Sequence, residues 1–171
     1  DLLFRMGDGT LMGVEICEDL WTAMPPSTLQ TLNGAEVIVN LSASNETVGK
    51  RTYRRDLVKH QSSICSCIYA YTSAGCTEST QDLVFSGHSI IAQNGRVLAE
   101  NEELIASDYM LLSDVDVGML RTDRARKNTF RDAAAAYGAQ NEVEVWEGSW
   151  QPLRSDGSLF PLRKLAFIPD T

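Results

Sequence analysis

The sequence predicts an α/β fold, because strand-like apolar runs alternate with helical stretches along the chain. Two strand–loop–helix units come first, and a hairpin and a further strand–helix unit follow them. Three of the strands end abruptly in small or polar residues, and open α/β sheets bind ligands at such strand ends. With 171 residues, of which 43% are hydrophobic, the chain is long enough for one domain with a substantial core.

A short strand precedes the first strand–loop–helix unit. Residues 2–6 form an apolar strand that ends in a glycine-rich turn at residues 7–9. A partly β-branched run over residues 11–16 predicts the second strand, which charged residues stop abruptly. A helix opens at residues 25–27, where prolines suit a helix start, and it closes at Asn33-Gly34, a pair suited to a left-handed C-cap.

The second unit begins with residues 37–41, a strand that is apolar on both faces, as in a buried sheet. A polar segment over residues 42–50 follows, and then a helix over about residues 51–65. The spacing predicts an inner side of this helix marked by Tyr53, Leu57, Gln61 and Ile64. The basic side chains on this helix are predicted to be mostly solvated: Arg54, Arg55 and Lys59.

Residues 67–71 predict a third strand, which ends in a small and polar loop over residues 73–80. Asn94-Gly95 is a strong hairpin signal, and it joins two predicted arms over about residues 83–92 and 96–100. These elements complete the part of the sequence whose pattern is most regular.

A last strand is predicted over residues 109–112, before a helix through the basic stretch at residues 121–127. Asp114 or Asp116 is suited to cap this helix. Residues 133–136 indicate one or two further helical turns.

The domain is predicted to span residues 1–137, and residues 138–171 are predicted to form an irregular tail that carries Trp146, Trp150 and Pro152. The chain begins at Asp1 rather than Met and enters its first strand at once. We therefore expect it to be part of a longer protein.

The composition argues against several classes of function. A net charge of −8 at pH 7 disfavours non-specific binding to nucleic acid or to an anionic membrane surface. No apolar run approaches the about 20 residues of a membrane span, and we expect no signal peptide. The two histidines lie far apart and the four cysteines form no CxxC pair, so we expect no metal site. We expect reduced thiols in a cytoplasmic protein.

Cys17 is the candidate catalytic residue, because it lies where a buried strand breaks off into the polar loop Glu18-Asp19. A nucleophile needs a rigid element behind it, open space in front, and free backbone N–H groups beyond it to hold an oxyanion. A lone cysteine at a strand end is more often a buried packing residue. The predicted convergence of its loop with those after Ser42 and Ser73 favours the catalytic interpretation.

The carboxylates next to Cys17 each have two interpretations. Glu15 lies on the same sheet face as Cys17, so it either orients or deprotonates the thiol or forms a buried pair with a basic neighbour. The structural role is favoured, because a buried strand carboxylate must be paired whatever else it does. Glu18 and Asp19 either recognise a substrate ammonium group or cap the next helix.

Polar residues in the other two loops leave similar alternatives open. Ser42, Ser44 and Asn45 either bind a polar end of a substrate or form the turn. Lys50 and Arg51 either pair with a substrate carboxylate or are solvated residues at a helix start, where a cation is unfavourable without a partner.

The remaining reactive or charged residues are predicted to be structural. His88 has no partner at a spacing that suits a metal or a catalytic dyad, and Cys65, Cys67 and Cys76 are expected to pack. A solvated helix face is predicted for the basic residues Arg121, Arg124, Arg126, Lys127 and Arg131.

Three segments, in order along the chain, resemble a known family. Gly13-Val14-Glu15-Ile16-Cys17-Glu18-Asp19-Leu20-Trp21 resembles the nucleophile segment of the carbon–nitrogen hydrolases, the nitrilase superfamily. The segments over residues 40–45 and 74–89 resemble the glutaminase domain of glutamine-dependent NAD synthetases. The resemblance covers about residues 9–137, and three motifs in order are specific.

The resemblance implies an α-β-β-α sandwich, of which this chain is the C-terminal part, and a Glu–Lys–Cys triad that hydrolyses glutamine. Cys17 would form a glutamyl thioester, and the backbone N–H of Glu18 would help to hold the oxyanion. The Glu18 side chain, Ser44 and Lys50 match positions near the α-amino and α-carboxylate groups of glutamine. No Lys, and no Glu other than Glu15, precedes Cys17, so two members of the triad are absent from this sequence.

The resemblance also implies a partner domain. A synthetase domain, with ATP and Mg²⁺, would use the ammonia to amidate deamido-NAD, whereas the glutaminase domain itself needs no cofactor. We expect this chain alone to hydrolyse little glutamine, because the thiol lacks its base. We also expect self-association, since a truncated sheet exposes apolar surface or an edge. The alternatives are a stand-alone nitrilase-type amidase and a non-catalytic interaction module.

Overall fold

Seven strands form one mixed sheet within residues 2–101, 107–138 and 143–148, the residues that the computed structural model describes. The strands are β1 (Leu2–Arg5), β2 (Leu11–Ile16), β3 (Val37–Ser42), β4 (Ile68–Ser73), β5 (Ile90–Gln93), β6 (Arg96–Glu100) and β7 (Glu144–Glu147). They lie side by side in the order β6-β5-β4-β3-β2-β1-β7. The α/β fold class predicted from the sequence is confirmed.

Helices connect the strands of this sheet. The α-helices are α1 (Pro26–Leu32), α2 (Lys50–Ile64), α3 (Val117–Arg126) and α4 (Asn128–Tyr137), and short 3-10 helices cover Cys17–Trp21 and Cys76–Glu78. Because α1 follows β2 and α2 follows β3, both predicted strand–loop–helix units are confirmed. In the part of the chain that the structure describes, no helix is long and apolar enough to cross a membrane.

The three central strands, β2, β3 and β4, run parallel to one another. In their register, Glu15 of β2 pairs with Asn40 of β3, which pairs in turn with Tyr71 of β4. The carboxyl ends of the three strands therefore meet at one edge of the sheet, as predicted for the loops that follow them.

The helices α1 and α2 cover one face of the sheet, and the core lies there. Six side chains of this face are at most 2% exposed and pack in one cluster with Val58 of α2: Leu3, Ile38, Tyr69, Tyr71, Ile90 and Ala92. The contact between α1 and β2 requires a glycine at position 13, because a Cβ there would lie 2.3 Å from Oε1 of Gln30. This close approach fixes α1 directly behind the strand that carries Cys17.

The opposite face of the central strands is apolar and incompletely covered. Strand alternation places these side chains on it: Met12, Val14, Ile16, Val37, Val39 and Leu41. Ile16 is 62% exposed and Leu41 is 54% exposed, and residues 109–111 lie over only part of this face. The described residues thus form one helical layer on one sheet, which is half of the sandwich that the resemblance implies.

The inner side of α2 differs from the prediction. Arg54, predicted to be solvated, is fully buried, whereas Tyr53 and Ile64, predicted to face inward, are 57% and 54% exposed. The buried face of α2 also carries Val58 and Gln61. The prediction was wrong because the guanidinium of Arg54 meets a cluster of polar partners, which compensate for its loss of water.

Two segments predicted as strands are loops. Residues 83–89 precede β5 without joining the sheet, so the first arm of the hairpin begins at Ile90. Side chains hold this loop instead, as when the backbone N–H of Phe85 donates to Oγ of Ser79 at 3.0 Å. Residues 109–112 form no strand either.

The predicted irregular tail contains a strand. Residues 144–147 form β7 beside β1, where Trp146 meets Phe4 edge to face and Glu147 pairs with Arg5 at 2.7 Å. The predicted domain boundary at residue 137 stays a prediction, and Trp150 and Pro152 lie outside the described residues.

The helix α3 begins at the predicted cap, since Oδ1 of Asp116 accepts a hydrogen bond from the backbone N–H of Met119 at 2.7 Å. The prediction of a solvated basic face is correct only in part, since Arg121, Arg126 and Arg131 are exposed whereas Arg124 and Lys127 are half-buried. Arg124 donates to the carbonyl oxygens of Ala35, Cys65 and Ser66, which end the segments next to it. Arg121 pairs with Glu36 and Lys127 donates to Ser66 Oγ. These side chains are held because they satisfy carbonyls and a carboxylate that helix and sheet leave unpaired.

The uncovered apolar face predicts that this chain associates with itself. Replacing Leu41 by Lys puts a charge on that face, so we expect the self-dissociation constant in sedimentation to rise at least about tenfold. Val48→Lys is the matched control, because Val48 is fully exposed in the loop before α2. A wild-type chain that stays strictly monomeric would contradict this prediction.

Candidate active site

Cys17 adopts a backbone conformation that residues other than glycine rarely adopt. Its φ angle is 50°, in the left-handed region. Such a conformation costs about 1–3 kcal/mol, so the surrounding structure has to hold it. The strand β2 stops at Ile16, and the chain turns at Cys17 directly into a 3-10 helix. The cysteine side chain is half-buried at the carboxyl edge of the sheet.

Hydrogen bonds on both sides fix this turn. Oδ2 of Asp19 accepts from the backbone N–H of Ile16 at 2.8 Å. Nδ2 of Asn40, from β3, donates to the carbonyl oxygen of Cys17 at 3.4 Å and to Oη of Tyr69 at 3.2 Å. Buried side chains of the neighbouring strands β3 and β4 thus help to determine where the thiol lies.

Glu15 lies behind this turn, fully buried. Its Oε1 accepts from the backbone N–H of Ser27 at 2.6 Å, and its Oε2 accepts a short hydrogen bond from the hydroxyl of Tyr69. Burial and the neighbouring Glu15 raise the pKa of Tyr69, so the phenol stays protonated and donates. These contacts favour the structural interpretation of Glu15, although its partners are neutral donors rather than the expected basic neighbour.

A cavity of about 430 Å³ opens at the carboxyl edge of β2 and β3. Its walls are formed by Cys17, Glu18, Trp21, Ala43, Ser44, Asn45 and Lys50. The structure therefore brings five of the nine candidate residues around one space, namely Cys17, Glu18, Ser44, Asn45 and Lys50. Asp19, Ser42 and Arg51 are not part of its wall. Their roles in catalysis and binding stay predictions, and Glu15 lies outside this wall.

Lys50 is held at the cavity rather than released into solvent. Its Nζ donates to Oδ1 of Asn45 at 2.5 Å and lies 5.6 Å from the centre of the Trp21 ring. Trp21 stacks in turn on Tyr53 of α2, with ring centres 5.5 Å apart. Lys50 is also the first residue of α2, and the first turn of this helix contains no acidic residue. A helix N-terminus and an ammonium group together favour an anion at this wall.

Ser44 connects the cavity to a buried cluster around Arg54. Ser44 is 6% exposed, and its Oγ accepts a hydrogen bond from Nη2 of Arg54 at 3.2 Å. Nη1 of Arg54 donates to Oε2 of Glu46 at 3.2 Å and to Nδ1 of His88 at 2.8 Å. Ser86 donates to the same carboxylate oxygen at 2.6 Å. These bonds hold the pKa of Glu46 below its usual value against the opposing effect of burial.

His88 is neutral in this cluster. Burial lowers its pKa to about 4, and the nearby Arg51 and Arg54 act in the same direction. Because arginine can only donate, Nδ1 of His88 accepts from Arg54, and Nε2–H therefore donates to Oε1 of Glu100 at 2.8 Å. Glu100 also binds Arg55 through two hydrogen bonds of 2.7 and 2.9 Å. These contacts agree with the structural role predicted for His88.

No site role was predicted for Trp21, Asn40 or Arg54, and Tyr69 was predicted only as part of a strand. A signal for Arg54 does exist, because Arg54, Val58 and Gln61 follow helical spacing on the buried face of α2. Asn40 is likewise visible as a polar residue within an otherwise apolar run. A metal site is not indicated, since the described ranges contain no group of three or more potential ligands among His, Cys, Asp and Glu.

Comparison with known families agrees with this arrangement. The family model described as carbon-nitrogen hydrolase matches residues 2–125. The chain belongs to the carbon–nitrogen hydrolase family. The match spans the sheet from β1 to β6 and most of α3, including every residue of the cavity wall.

One curated relative is the glutamine-dependent NAD(+) synthetase of Mycobacterium leprae (strain TN). It is 42% identical over 173 residues, which cover 99% of this chain but 25% of the relative. The chain thus spans about a quarter of the length of that relative.

Solved structures show the same fold. A glutamine-dependent NAD(+) synthetase from Cytophaga hutchinsonii matches with a TM-score of 0.57 and 29% identity, over 67% of this chain and 18% of that chain. A carbon-nitrogen hydrolase from Helicobacter pylori G27 matches with a TM-score of 0.59 at 17% identity, over 75% of this chain and 48% of that chain. The second likeness concerns the fold alone.

Replacing Glu15 by Gln should destabilise the protein by about 2 kcal/mol in urea unfolding, because a buried donor then loses its acceptor. A glutamine side chain has a single oxygen, so either the Ser27 N–H or the Tyr69 hydroxyl faces its amide group instead. The control is Glu18→Gln at an exposed position, which should change stability by less than about 0.5 kcal/mol. Equal stability of both variants would contradict the structural role of Glu15.

The low pKa of His88 predicts a loss of stability in acid. The unfolded chain takes up this proton near its ordinary pKa of 6.5, whereas the folded chain resists until about pH 4. The contribution of His88 is therefore complete above about pH 6.5 and is lost as the pH falls toward about 4.

Urea unfolding of the wild type and of His88→Gln across this pH range tests the assignment. Glutamine can still accept from Arg54 but does not titrate. We expect the difference in unfolding free energy between the two proteins to shrink as the pH falls. A difference that is independent of pH would show that His88 is not buried in its neutral form.

Proposed function

We propose that this chain is the cysteine-bearing part of a glutaminase domain that hydrolyses glutamine to glutamate and ammonia, within a glutamine-dependent NAD synthetase. The observation that carries the proposal is Cys17, held at a φ angle of 50° on the wall of a cavity with polar groups suited to an amino acid. The 42% identity to the synthetase of Mycobacterium leprae across 99% of the chain supports the substrate class.

In the proposed reaction, Sγ of Cys17 attacks the carbon of the glutamine side-chain amide. The oxygen becomes an oxyanion, which the backbone N–H of Glu18 helps to hold in the first turn of the 3-10 helix, where amides lack partners within the helix. The C–N bond breaks as the nitrogen gains a proton, which leaves ammonia and a glutamyl thioester. Water then cleaves the thioester to glutamate and restores the thiol.

The rest of the cavity wall recognises the amino-acid end of glutamine. Lys50 and the N-terminus of α2 attract the α-carboxylate, and the exposed carboxylate of Glu18 attracts the α-ammonium group. Ser44 supplies a hydroxyl for a further hydrogen bond. These three contacts distinguish glutamine from a simple amide without charged groups.

The triad is completed by residues outside this sequence. The family resemblance assigns a Glu and a Lys to positions well before the cysteine, and no Lys precedes Cys17 here. The ammonia would be used, with ATP and Mg²⁺, by a synthetase domain in the longer protein. We also propose a cytoplasmic location, which the four free thiols support.

Labelling by 6-diazo-5-oxo-norleucine, an electrophilic analogue of glutamine, tests the proposed function. The modified residue is mapped by mass spectrometry in this chain and in the full-length gene product. Cys76 is the internal control, because it is also a half-buried cysteine. We expect modification of Cys17 and not of Cys76, with protection by glutamine.

The pattern of labelling decides between the alternatives. Modification of Cys17 in the full-length protein alone supports a glutaminase completed by preceding residues. Modification in the short chain as well would mean that the site forms here, with Glu15 as the candidate base. Absence of labelling in both would leave Cys17 as a packing residue and overturn the proposal.

Replacing Lys50 by Met should raise the KM for glutamine about 10- to 100-fold, because a charge-assisted hydrogen bond to the α-carboxylate is lost. Lys59→Met, on the same helix but away from the cavity wall, is the matched control. The KM of each variant is obtained from the rate of ammonia release by the full-length gene product at varied glutamine concentration. An unchanged KM for Lys50→Met would contradict the assigned role.

A further inference from the structure

We propose that Arg54 is a positioning residue that fixes the Ser44 hydroxyl as a hydrogen-bond donor to the substrate. The inference rests on the proposed glutaminase function and assigns Arg54 a role beyond the residues that line the cavity. It concerns substrate recognition and not the attack by Cys17.

Arg54 is an unusual arginine because it is completely buried. Its side chain has no exposed surface, although a buried guanidinium loses the solvation that it has in water. The guanidinium lies 5.8 Å from the centre of the Tyr71 ring and is bonded to Ser44, Glu46 and His88. A surface arginine would stabilise α2 without this desolvation, so the position of Arg54 calls for a specific explanation.

In the hydrogen bond between Arg54 and Ser44, the guanidinium is the donor and the hydroxyl is the acceptor. A serine hydroxyl has one proton to donate and two lone pairs, whereas arginine has only donors. Since Nη2 of Arg54 donates to Oγ of Ser44, the hydroxyl proton points to another acceptor. Ser44 lines the cavity that contains Cys17, so an oxygen atom of a bound substrate is the acceptor that this geometry favours.

Two other partners keep Arg54 in place. Glu46 balances its charge, and the neutral His88 offers a lone pair at 2.8 Å. His88 is oriented in turn by Glu100, which is clamped by Arg55. Hydrogen bonds therefore run from the edge strand β6 through His88 and Arg54 to the cavity wall.

The spacing along α2 relates Arg54 to Lys50. Lys50 and Arg54 lie four residues apart and thus one turn apart on the same side of the helix. Lys50 reaches the cavity directly, whereas Arg54 reaches it only through Ser44. One helix therefore places both an ammonium group for the substrate and the guanidinium that orients a hydroxyl.

A purely structural role for Arg54 makes a different prediction, and a double-mutant cycle separates the two. The KM and kcat for glutamine are measured for the full-length gene product with Arg54→Lys, Ser44→Ala and both changes. Lysine keeps the charge but loses the planar fork that reaches three acceptors. We expect each single variant to raise KM about tenfold with kcat changed less than about twofold.

The double variant is decisive. If Arg54 acts through Ser44, the double variant should have about the same KM as Ser44→Ala alone, because contacting residues that act as a unit are not additive. A KM raised about 100-fold, the product of the single effects, would overturn the proposal. So would an unchanged KM in Arg54→Lys.

Arg124→Lys controls for general loss of stability. Arg124 is a second arginine with several hydrogen bonds, but it lies on α3 and donates to the carbonyl oxygens of Ala35, Cys65 and Ser66, which do not line the cavity. We expect it to lower the unfolding midpoint and to leave the KM for glutamine unchanged. A rise in KM with this variant would mean that the effect of Arg54→Lys reports stability alone.

A second variant keeps the test valid if Arg54→Lys does not fold. Glu46→Gln removes the negative charge that pairs with Arg54. The change is better tolerated, because the Glu46 side chain is 21% exposed whereas that of Arg54 is fully buried. We expect a rise in KM of about threefold that vanishes in the Ser44→Ala background. A rise that persists there would overturn the proposal. Wild-type protein without turnover or labelling would overturn the proposed function itself, whereas normal turnover with additive variants removes only the role of Arg54.

Discussion

The arrangement of the site depends on one backbone constraint, the left-handed conformation of Cys17 at the end of β2. A regular continuation of the strand would carry the thiol along the sheet, and an ordinary helical turn would place it elsewhere. The conformation is held because Asp19 ties back to Ile16 and Asn40 reaches the Cys17 carbonyl from the next strand. The parallel register of β2, β3 and β4 makes this possible, since it brings Asn40 and Tyr69 behind the turn. The position of the Cys17 thiol is thus a property of the whole sheet edge.

Buried polar groups on the helix-covered face also help to position the site. Glu15 accepts hydrogen bonds from two neutral donors, and the two Nη atoms of Arg54 donate to a carboxylate, a neutral histidine and a serine. Each group would be costly to bury alone, because the protein interior solvates charges poorly. Together they determine the positions of two loops that line the cavity. The apolar core of the same face, in contrast, stabilises the fold through non-directional contacts, which do not orient individual side chains.

The candidate site was predictable where the chemistry depended on strand ends. An apolar run that stops at Cys17, Ser42 or Ser73 indicates a loop, and parallel strands bring such loops to one edge. This reasoning predicted that the loops after Cys17 and Ser42 meet, and residues of both loops line one cavity. The family resemblance, and not the strand ends, singled out Glu18, Ser44 and Lys50 among their polar residues. The α/β class followed from the same alternation of strands and helices.

The rest depended on contacts between residues that are far apart in sequence. The burial of Arg54 depends on Glu46 and His88, which lie outside α2. The sequence of α2 alone therefore cannot predict these partners. Residues 83–89 have the composition of a strand, but side-chain hydrogen bonds hold them as a loop. The strand β7 forms because β1 offers a free edge to residues 144–147, and this pairing joins segments over a hundred residues apart. Local propensity cannot specify such pairings.

The apolar second face of the sheet, which the described residues cover only in part, fits the proposal that this chain is one part of a glutaminase domain. A polypeptide segment that covered this face would complete the sandwich of the family. The resemblance implies that the Glu and the Lys of the triad lie in a segment before Cys17. The proposed reaction requires Cys17 to form a covalent bond to the glutamyl group. The most direct test is to quench the full-length gene product with acid during glutamine turnover and to determine the mass of the Cys17 peptide. A glutamyl adduct on that peptide is the expected result. Ammonia release without an adduct on Cys17, or an adduct on another cysteine, would contradict the account.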